Sequence, residues 1–182
     1  IDPASGQPVA LADQDRRRGD PACIAEAGEL LHSALLSGRA GPYTIQAGIA
    51  SVHADAAEFA ATRWDLIVGY YDMLLRLMPT AIVRMNRAIA VGMHAGPAAA
   101  MDLLNELQTE EPHERAGDIR GYHLLYAARA DCLRRLGRVA EAVAEYDAAI
   151  ARAPQAAERA YLIRQREELL GKAPPEKSHK NP

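Results

Sequence analysis

Aromatic residues are scarce in this 182-residue chain: they make up 5% of it, and phenylalanine occurs once. Strands are enriched in aromatic and β-branched residues, so this shortage argues against a β-sheet protein. Alanine is frequent instead, and alanine is the best helix former. Hydrophobic residues make up 49% of the chain and charged residues 25%, which are ordinary values for a globular domain. The composition therefore predicts an all-helical protein with a core of its own.

Cysteine and long apolar runs are also in short supply. The two cysteines, Cys23 and Cys132, lie far apart in sequence, which favours two unlinked thiols in a reducing cytoplasm. No apolar run approaches the length needed to cross a bilayer, and no signal-peptide pattern opens the chain. We therefore expect a cytoplasmic protein without a membrane partner. The chain starts at Ile1, and its proline- and glycine-containing opening is typical of the middle of a longer polypeptide.

Motifs of catalysis and cofactor binding are missing as well. The sequence holds no phosphate-binding glycine loop, no GxSxG elbow, no CxxC pair and no HExxH helix motif. His53, Asp55 and Glu58 are metal ligands in type, but residues two apart on a helix do not face each other. We therefore predict no enzymatic activity, no metal and no cofactor. The formal net charge of -3 supplies no overall basic field to attract nucleic acid.

Helix-start and helix-stop signals divide the chain into three parts. Residues 1–20 show little periodicity and are predicted to be a linker, whereas residues 171–182 are polar and proline-rich and are predicted to be a disordered tail. Between them, residues 21–170 are predicted to form about eight helices. Asp20, which precedes a proline, is the predicted N-cap of the first helix, and Thr62 is the predicted cap of the third.

A repeated pattern is the strongest internal signal. Three predicted helices end at Pro79, Pro112 and Pro154. The last of these units best matches the roughly 34-residue tetratricopeptide helix-turn-helix repeat. A unit 42 residues earlier matches more loosely, with His94-Ala95 in the place of Leu136-Gly137. The residues twelve, eight and five positions before each proline share one helical stripe; they are Ile67, Tyr71 and Leu74, then Ala100, Leu104 and Leu107, then Ala142, Tyr146 and Ala149.

Packing gives this pattern its physical meaning. Small alanines let the two helices of a pair approach closely, and one pair cannot bury its apolar face alone, so pairs must stack. The predicted fold is therefore all-α: a right-handed superhelical array of antiparallel, tetratricopeptide-like helix pairs. The alternative is an irregular helical bundle that uses proline stops. The predicted core includes Trp64, Tyr71, Ala88, Leu104, Ala130, Ala142 and Tyr146.

Several ordered sequence blocks, spread over nearly the whole chain, point to a family. They include Gly41–Ala50, Trp64-Asp65, Pro79–Val91, Tyr122–Asp131 and Leu133–Arg138. Together these blocks resemble the C-terminal extension of a group of extracytoplasmic-function sigma factors of bacterial RNA polymerase. In that group a helical, tetratricopeptide-like module follows the regions that bind core polymerase and read promoters. Those regions have no counterpart in this chain.

The resemblance implies the regulatory or interaction part of a sigma factor, acting in transcription initiation through protein contacts. It implies a protein partner, which is the polymerase core, the sigma factor's own N-terminal regions or a regulator. DNA would be contacted only through the missing regions. Two other hypotheses stay open: a free-standing tetratricopeptide adaptor that binds a peptide or protein, and a helical domain that senses a small molecule.

One candidate binding site consists of Asn86, Arg87 and Arg129. Arg87 and Arg129 lie at corresponding places in two repeats, on the first helix of each pair. In tetratricopeptide arrays that helix lines the concave groove, where Asn and Arg can hold a peptide carboxylate or backbone. The alternative is structural: the two arginines pair with carboxylates such as Asp72 or Asp131.

A second polar set follows the Gly-Pro helix start at residues 41–42. It consists of Tyr43, Gln46 and His53, and Gln46, Ala50 and His53 fall on one helical face. One interpretation is a contact surface towards the missing sigma regions. The other is a helix start whose polar groups are satisfied inside the helix pair.

Overall fold

Eight α-helices and one short 3-10 helix account for most of the residues that the structure describes. The structure is a computed structural model, and it describes residues 9, 13–16, 19–38, 40–109 and 117–172. No strand occurs in those ranges. Pro112, most of the predicted linker and residues 173–182 of the predicted tail lie outside them. The α-helices are α1 (Pro21–Leu36), α2 (Pro42–Asp55), α3 (Trp64–Leu77), α4 (Ala81–His94), α5 (Pro97–Thr109), α6 (His123–Arg135), α7 (Val139–Arg152) and α8 (Ala156–Lys172).

The chain divides into two compact units, Ile1–Gly121 and Tyr122–Pro182. In the first unit each of α1 to α4 packs on the helix that follows it, and in the second unit α6 packs on α7 and α7 on α8. Connections of a few residues between packed neighbours make these helices antiparallel. The predicted fold class, an all-α array in which helices pack in sequence order, is confirmed.

Side-chain caps begin two of the helices, and one of them was predicted. The Asp20 carboxylate accepts from the backbone N–H of Ala22 at 2.9 Å, as expected. The Thr80 hydroxyl accepts from the N–H of Val83 at 3.3 Å, and each cap satisfies an otherwise orphan donor. The prediction for Thr62 is wrong. A 3-10 helix, Phe59–Ala61, precedes it, and the N–H of Thr62 closes that turn on the carbonyl of Phe59.

The stripe residues that precede each proline form the cores of the helix pairs. Eight of these nine residues are buried, with Ala100, Leu104, Ala142 and Ala149 at 0% exposure. The predicted core positions Ala88 and Ala130 are also fully buried. Two predictions need correction, because Trp64 and Tyr71 are only half-buried. Trp64 is the first residue of α3, and its ring packs edge-on against His53, at the end of α2, and against Phe59.

The turn between α4 and α5 lies one residue later than the repeat alignment predicted. Gly137 follows α6 with a φ of 75°, and its counterpart after α4 is Gly96, with a φ of 100°. Glycine adopts this left-handed conformation without the penalty of a Cβ. The alignment of His94-Ala95 with Leu136-Gly137 therefore holds for the helices but not for the turn.

Candidate partner-binding surface

Helix α4 is packed on two of its sides. Its alanines, its glycine and two larger residues are buried: Ala81, Val83, Met85, Ala88, Ala90 and Gly92. Val83 shares one core cluster with Ile45 of α2 and Leu74 of α3, and α4 also packs on α5. These contacts fix the rotation of α4 about its axis, and therefore decide which residues face solvent.

Arg87 lies on the side of α4 that faces α3. Its Nε donates to Oδ1 of Asp72 at 2.6 Å, and the two side chains are 28% and 46% exposed. Arg84 and Arg87, together with Leu75 of α3 and Glu106 of α5, line a small pocket on this side of the helix. The arginine predicted to contact a partner is therefore engaged in a link between two helices.

Asn86 belongs to a different face of α4, one that carries exposed isoleucines. Ile82 is 50% exposed and Ile89 is 37% exposed, and half-buried Asn86 and Met93 complete a row with spacings of four, three and four residues. Because such spacings place residues on one side of a helix, these four residues form one solvent-facing stripe. We call Ile82, Asn86, Ile89 and Met93 the α4 stripe.

Arg129 of α6 occupies the position that corresponds to Arg87 but binds a different neighbour. Its Nε and Nη2 both lie 2.8 Å from Oε1 of Glu145 on α7. The Arg129 side chain is 10% exposed and that of Glu145 is 16% exposed. Asp131, a predicted partner, instead pairs with Arg134 at 2.5 Å and Arg135 at 3.9 Å. Arg129 thus holds together the two helices of its own pair.

The face of α6 that corresponds to the α4 stripe has a different chemical character. Its residues are Leu124, Ala128, Asp131 and Arg135, each 42 positions after its counterpart. Leu124 is 40% exposed, but a small alanine follows it, and Asp131 and Arg135 form an ion pair. A pair of exposed isoleucines, as on the α4 stripe, is therefore not a general property of this repeat position.

The three candidate residues of α2 are spread along the helix rather than gathered. Tyr43, in the first turn, is 86% exposed, and Gln46 is also exposed. His53, in the last turn, is half-buried. The structure therefore leaves Tyr43 and Gln46 available to a partner, whereas His53 belongs to a packed corner.

That corner is built from His53, Phe59, Trp64 and Arg16. The ring of Trp64 meets the rings of His53 and Phe59 edge-on, with centroids 5.3 and 5.5 Å apart. Nη1 of Arg16 donates to the backbone carbonyls of His53 and Ala56 at 2.8 and 3.2 Å. Burial, and secondarily the nearby Arg16 charge, lower the pKa of His53 from its ordinary value of 6.5. The packed corner therefore favours the neutral form of His53.

Sequence reasoning missed Ile82, Ile89, Glu145 and Arg16. The two isoleucines were detectable in principle, because they flank Asn86 at helical spacing: Ile82 precedes Asn86 by four residues and Ile89 follows it by three. The role of Glu145 was not detectable from the sequence, because its distance from Arg129 depends on how two helices pack. Arg16 lies 37 residues before its first carbonyl partner, and no local pattern reports such a contact.

The described residues offer little for metal chemistry. Among them, no three His, Cys, Asp or Glu residues come together as a group that could hold a metal ion. Burial raises the pKa of the Cys132 thiol to about 11, and thiolates rather than thiols bind metals and attack electrophiles. No helix in the described part of the chain has the length and apolarity needed to cross a membrane.

Comparison with known proteins finds a similarity that extends over most of the chain. The chain is 40% identical over 166 residues to an uncharacterized protein of Rhizobium meliloti (strain 1021). The matched region covers 91% of this chain but 37% of that protein, so the chain spans little more than a third of the length of this relative. No family model matches the chain, and no solved structure matches it.

Proposed function

We propose that this chain is a protein-binding module whose contact surface is the α4 stripe. One observation carries the proposal: Ile82 and Ile89 are 50% and 37% exposed on a helix that is packed on two of its sides. Exposed apolar side chains that form a row, rather than lying singly, are typical of interaction surfaces. Asn86, between them, supplies an amide that can both donate and accept hydrogen bonds.

The chemistry of the stripe favours a partner segment with apolar side chains and an exposed backbone or polar group opposite Asn86. A helix laid along α4 would place apolar residues at spacings of three and four against Ile82 and Ile89. Arg87 and Arg129 contribute less in this proposal than the sequence suggested, because each already forms an ion pair within its unit. Tyr43 and Gln46 of α2 are exposed as well, but they do not belong to the α4 stripe.

The resemblance to sigma-factor extensions supplies the proposed biological setting. In that setting the module acts in the bacterial cytoplasm, during transcription initiation, by contacting the polymerase core, the promoter-reading regions of its own sigma factor or a regulator. Any contact with DNA would be made by those other regions. The net charge of -3 agrees with a role in protein rather than DNA contact.

The test uses the full 182-residue chain with purified bacterial RNA polymerase core and with purified sigma regions from a homologous factor. Binding is measured for the unmodified chain, for an Ile82→Asp/Ile89→Asp variant and for a Leu170→Asp control, which adds a carboxylate at another exposed leucine (51% exposed). We expect the stripe variant to bind at least about tenfold more weakly than the control.

Two results would overturn the proposal. If the stripe variant binds as tightly as the unmodified chain, the α4 stripe is not the contact surface. If the correctly folded chain binds neither polymerase core nor sigma regions, the transcription setting is wrong, and a free-standing adaptor becomes the better hypothesis. Circular dichroism of each variant verifies that the helices are intact.

A further inference from the structure

Helix α3 carries a second row of exposed apolar residues, on its outer face. Leu66, Met73 and Leu77 are 45%, 39% and 50% exposed, and Gly69 is exposed between them. Their spacings of three, four and four residues place them on one side of the helix. We call Leu66, Gly69, Met73 and Leu77 the α3 stripe. It shares no residue with the α4 stripe, so its role is independent of the function proposed above.

The repeat provides an internal comparison for this face. Counted from the proline that follows each helix, the positions equivalent to Leu66, Gly69 and Met73 hold small or charged residues in the other two units. In α5 they are Ala99, Asp102 and Glu106, and in α7 they are Glu141, Ala144 and Ala148. Folding of the repeat therefore does not require large apolar residues here, and α3 carries them for another reason.

Gly69 is the second unusual feature of the stripe. It lies inside a helix, where glycine is the poorest helix former apart from proline, and a Cβ built on it would meet no atom within 4 Å. Close packing inside this chain therefore does not explain it. A glycine on a helix surface does allow the backbone of another helix, or a large side chain, to approach closely.

The stripe is also self-complementary. Asp65 and Arg76 flank it at opposite ends, and both are exposed. Arg63 holds the Asp65 carboxylate at the edge of the stripe through hydrogen bonds of 2.9 and 2.6 Å. In an antiparallel pair of α3 helices with a two-fold axis near residue 71, Met73 of one copy covers Gly69 of the other. The same axis brings Leu66 beside Leu77 and Asp65 beside Arg76.

We propose that a second copy of this chain is the occupant of the α3 stripe, packed antiparallel through α3. A two-fold contact uses the same surface on both copies, which is the commonest symmetry of homo-oligomers. Antiparallel alignment also places the positive end of each helix dipole beside the negative end of the other, which is electrostatically favourable. A contact of one helix per copy is smaller than a standard stable interface. The dimer is accordingly weak and depends on protein concentration.

Sedimentation of the full chain over about a hundredfold range of concentration tests the proposal. We expect the average mass to rise from monomer towards dimer. Met73→Glu places a carboxylate over Gly69 and should weaken the dimer by at least about a hundredfold, which corresponds to burying an unpaired charge. Leu170→Glu, at an exposed leucine of α8, is the matched control and should leave dimerisation unchanged.

A charge exchange tests the antiparallel arrangement. Asp65→Arg alone and Arg76→Asp alone each place like charges together at both ends of the pair, and each should dimerise about tenfold more weakly. In a one-to-one mixture of the two variants, the heterodimer has opposite charges side by side at both of its ends. The mixture should therefore associate more strongly than either variant alone. In a parallel pair each of these residues would lie beside its own copy, where like charges already meet, so neither single variant would dimerise more weakly than the unmodified chain. A contact elsewhere would likewise leave both single variants unaffected.

Gly69→Ala separates association from folding. The alanine should raise the melting temperature of the dilute monomer, because it favours the helix and clashes with nothing, yet it should weaken the dimer by filling the space that Met73 needs. A chain that stays monomeric at the highest concentration overturns the proposal. So does a dimer that Met73→Glu leaves intact, because its contact must then lie on another surface.

Discussion

Arg129 of α6 and Glu145 of α7 form a largely buried ion pair between the two helices of one hairpin. Nε and Nη2 of Arg129 each lie 2.8 Å from Oε1 of Glu145, with the side chains 10% and 16% exposed. The corresponding Arg87 pairs instead with Asp72 of the preceding helix, and that pair is 28% and 46% exposed. Two equivalent arginines therefore stabilise different helix contacts in different surroundings.

The difference in burial leads to the first prediction. Arg129→Gln leaves the Glu145 carboxylate largely buried without its cation, and should lower the free energy of unfolding by about 3 kcal/mol. Arg87→Gln breaks a pair that water screens, and should cost about 1 kcal/mol or less. Chemical denaturation of both variants measures the two losses. Equal losses would contradict the view that burial, rather than repeat position, decides the effect.

The repeat predicted which positions are buried because burial follows the helical period. Ala88, Ala100, Ala130 and Ala142 are each at 0% exposure, as expected of residues where two helices approach closely. Pro79 and Pro154 each follow a helix end and its cap residue. These features depend on residues near one another in sequence, and a local pattern contains that information.

The candidate site was less predictable because its geometry depends on contacts between distant residues. Asn86 and Arg87 are adjacent in sequence, yet they point about 100° apart around the helix axis, and only the packing of α4 shows which one faces solvent. The 3-10 helix Phe59–Ala61 likewise replaced the simple helix start expected at Thr62. The functional assignment comes from the sequence resemblance and stays a proposal.

A close approach between α2 and α3 gives the second prediction. A Cβ added to buried Gly48 would lie 2.5 Å from Cε1 of Tyr70, which is well inside van der Waals contact. Gly48→Ala should therefore force the tyrosine ring aside and lower the free energy of unfolding by about 1–3 kcal/mol. The same substitution at Gly28 in α1, where a Cβ meets nothing within 4 Å, should stabilise the helix by about 0.5–1 kcal/mol.

Thermal unfolding of the two alanine variants measures the contrast, and a third variant tests its cause. Tyr70→Leu shortens the side chain opposite Gly48, so adding Gly48→Ala in that background should cost less than it does in the unmodified chain. The same cost in both backgrounds would mean that Tyr70 is not the source of the strain.

Overpacking of a repeat alanine gives the third prediction. Ala142 of α7 has 0% exposure, so Ala142→Leu has no space for its added atoms and should cost about 1–3 kcal/mol. Ala144, on the exposed side of the same helix, is the control, and Ala144→Leu should change stability by about 0.5 kcal/mol or less. Unchanged stability of Ala142→Leu in a denaturant titration would refute the assigned repeat register.

The neutral state of His53 gives the fourth prediction, which concerns pH. Burial and Arg16 lower its pKa in the folded chain from the ordinary value of 6.5. Between the lowered value and 6.5 the unfolded chain binds more protons than the folded chain, so the free energy of unfolding rises with pH in that interval. As the pH falls below about 6.5, His53 should therefore contribute a loss of stability, which levels off below the folded-state pKa.

His53→Phe isolates this contribution, because phenylalanine keeps an aromatic ring beside Trp64 but does not titrate. Other groups also make stability depend on pH, so the informative quantity is the difference between the two proteins at each pH. We expect the unmodified chain to lose more of its free energy of unfolding than the variant between about pH 7.5 and pH 5. Denaturant titrations at several pH values measure this difference. If the free energies of unfolding of the two proteins changed in parallel with pH, folding would not alter the pKa of His53, and this prediction would be wrong.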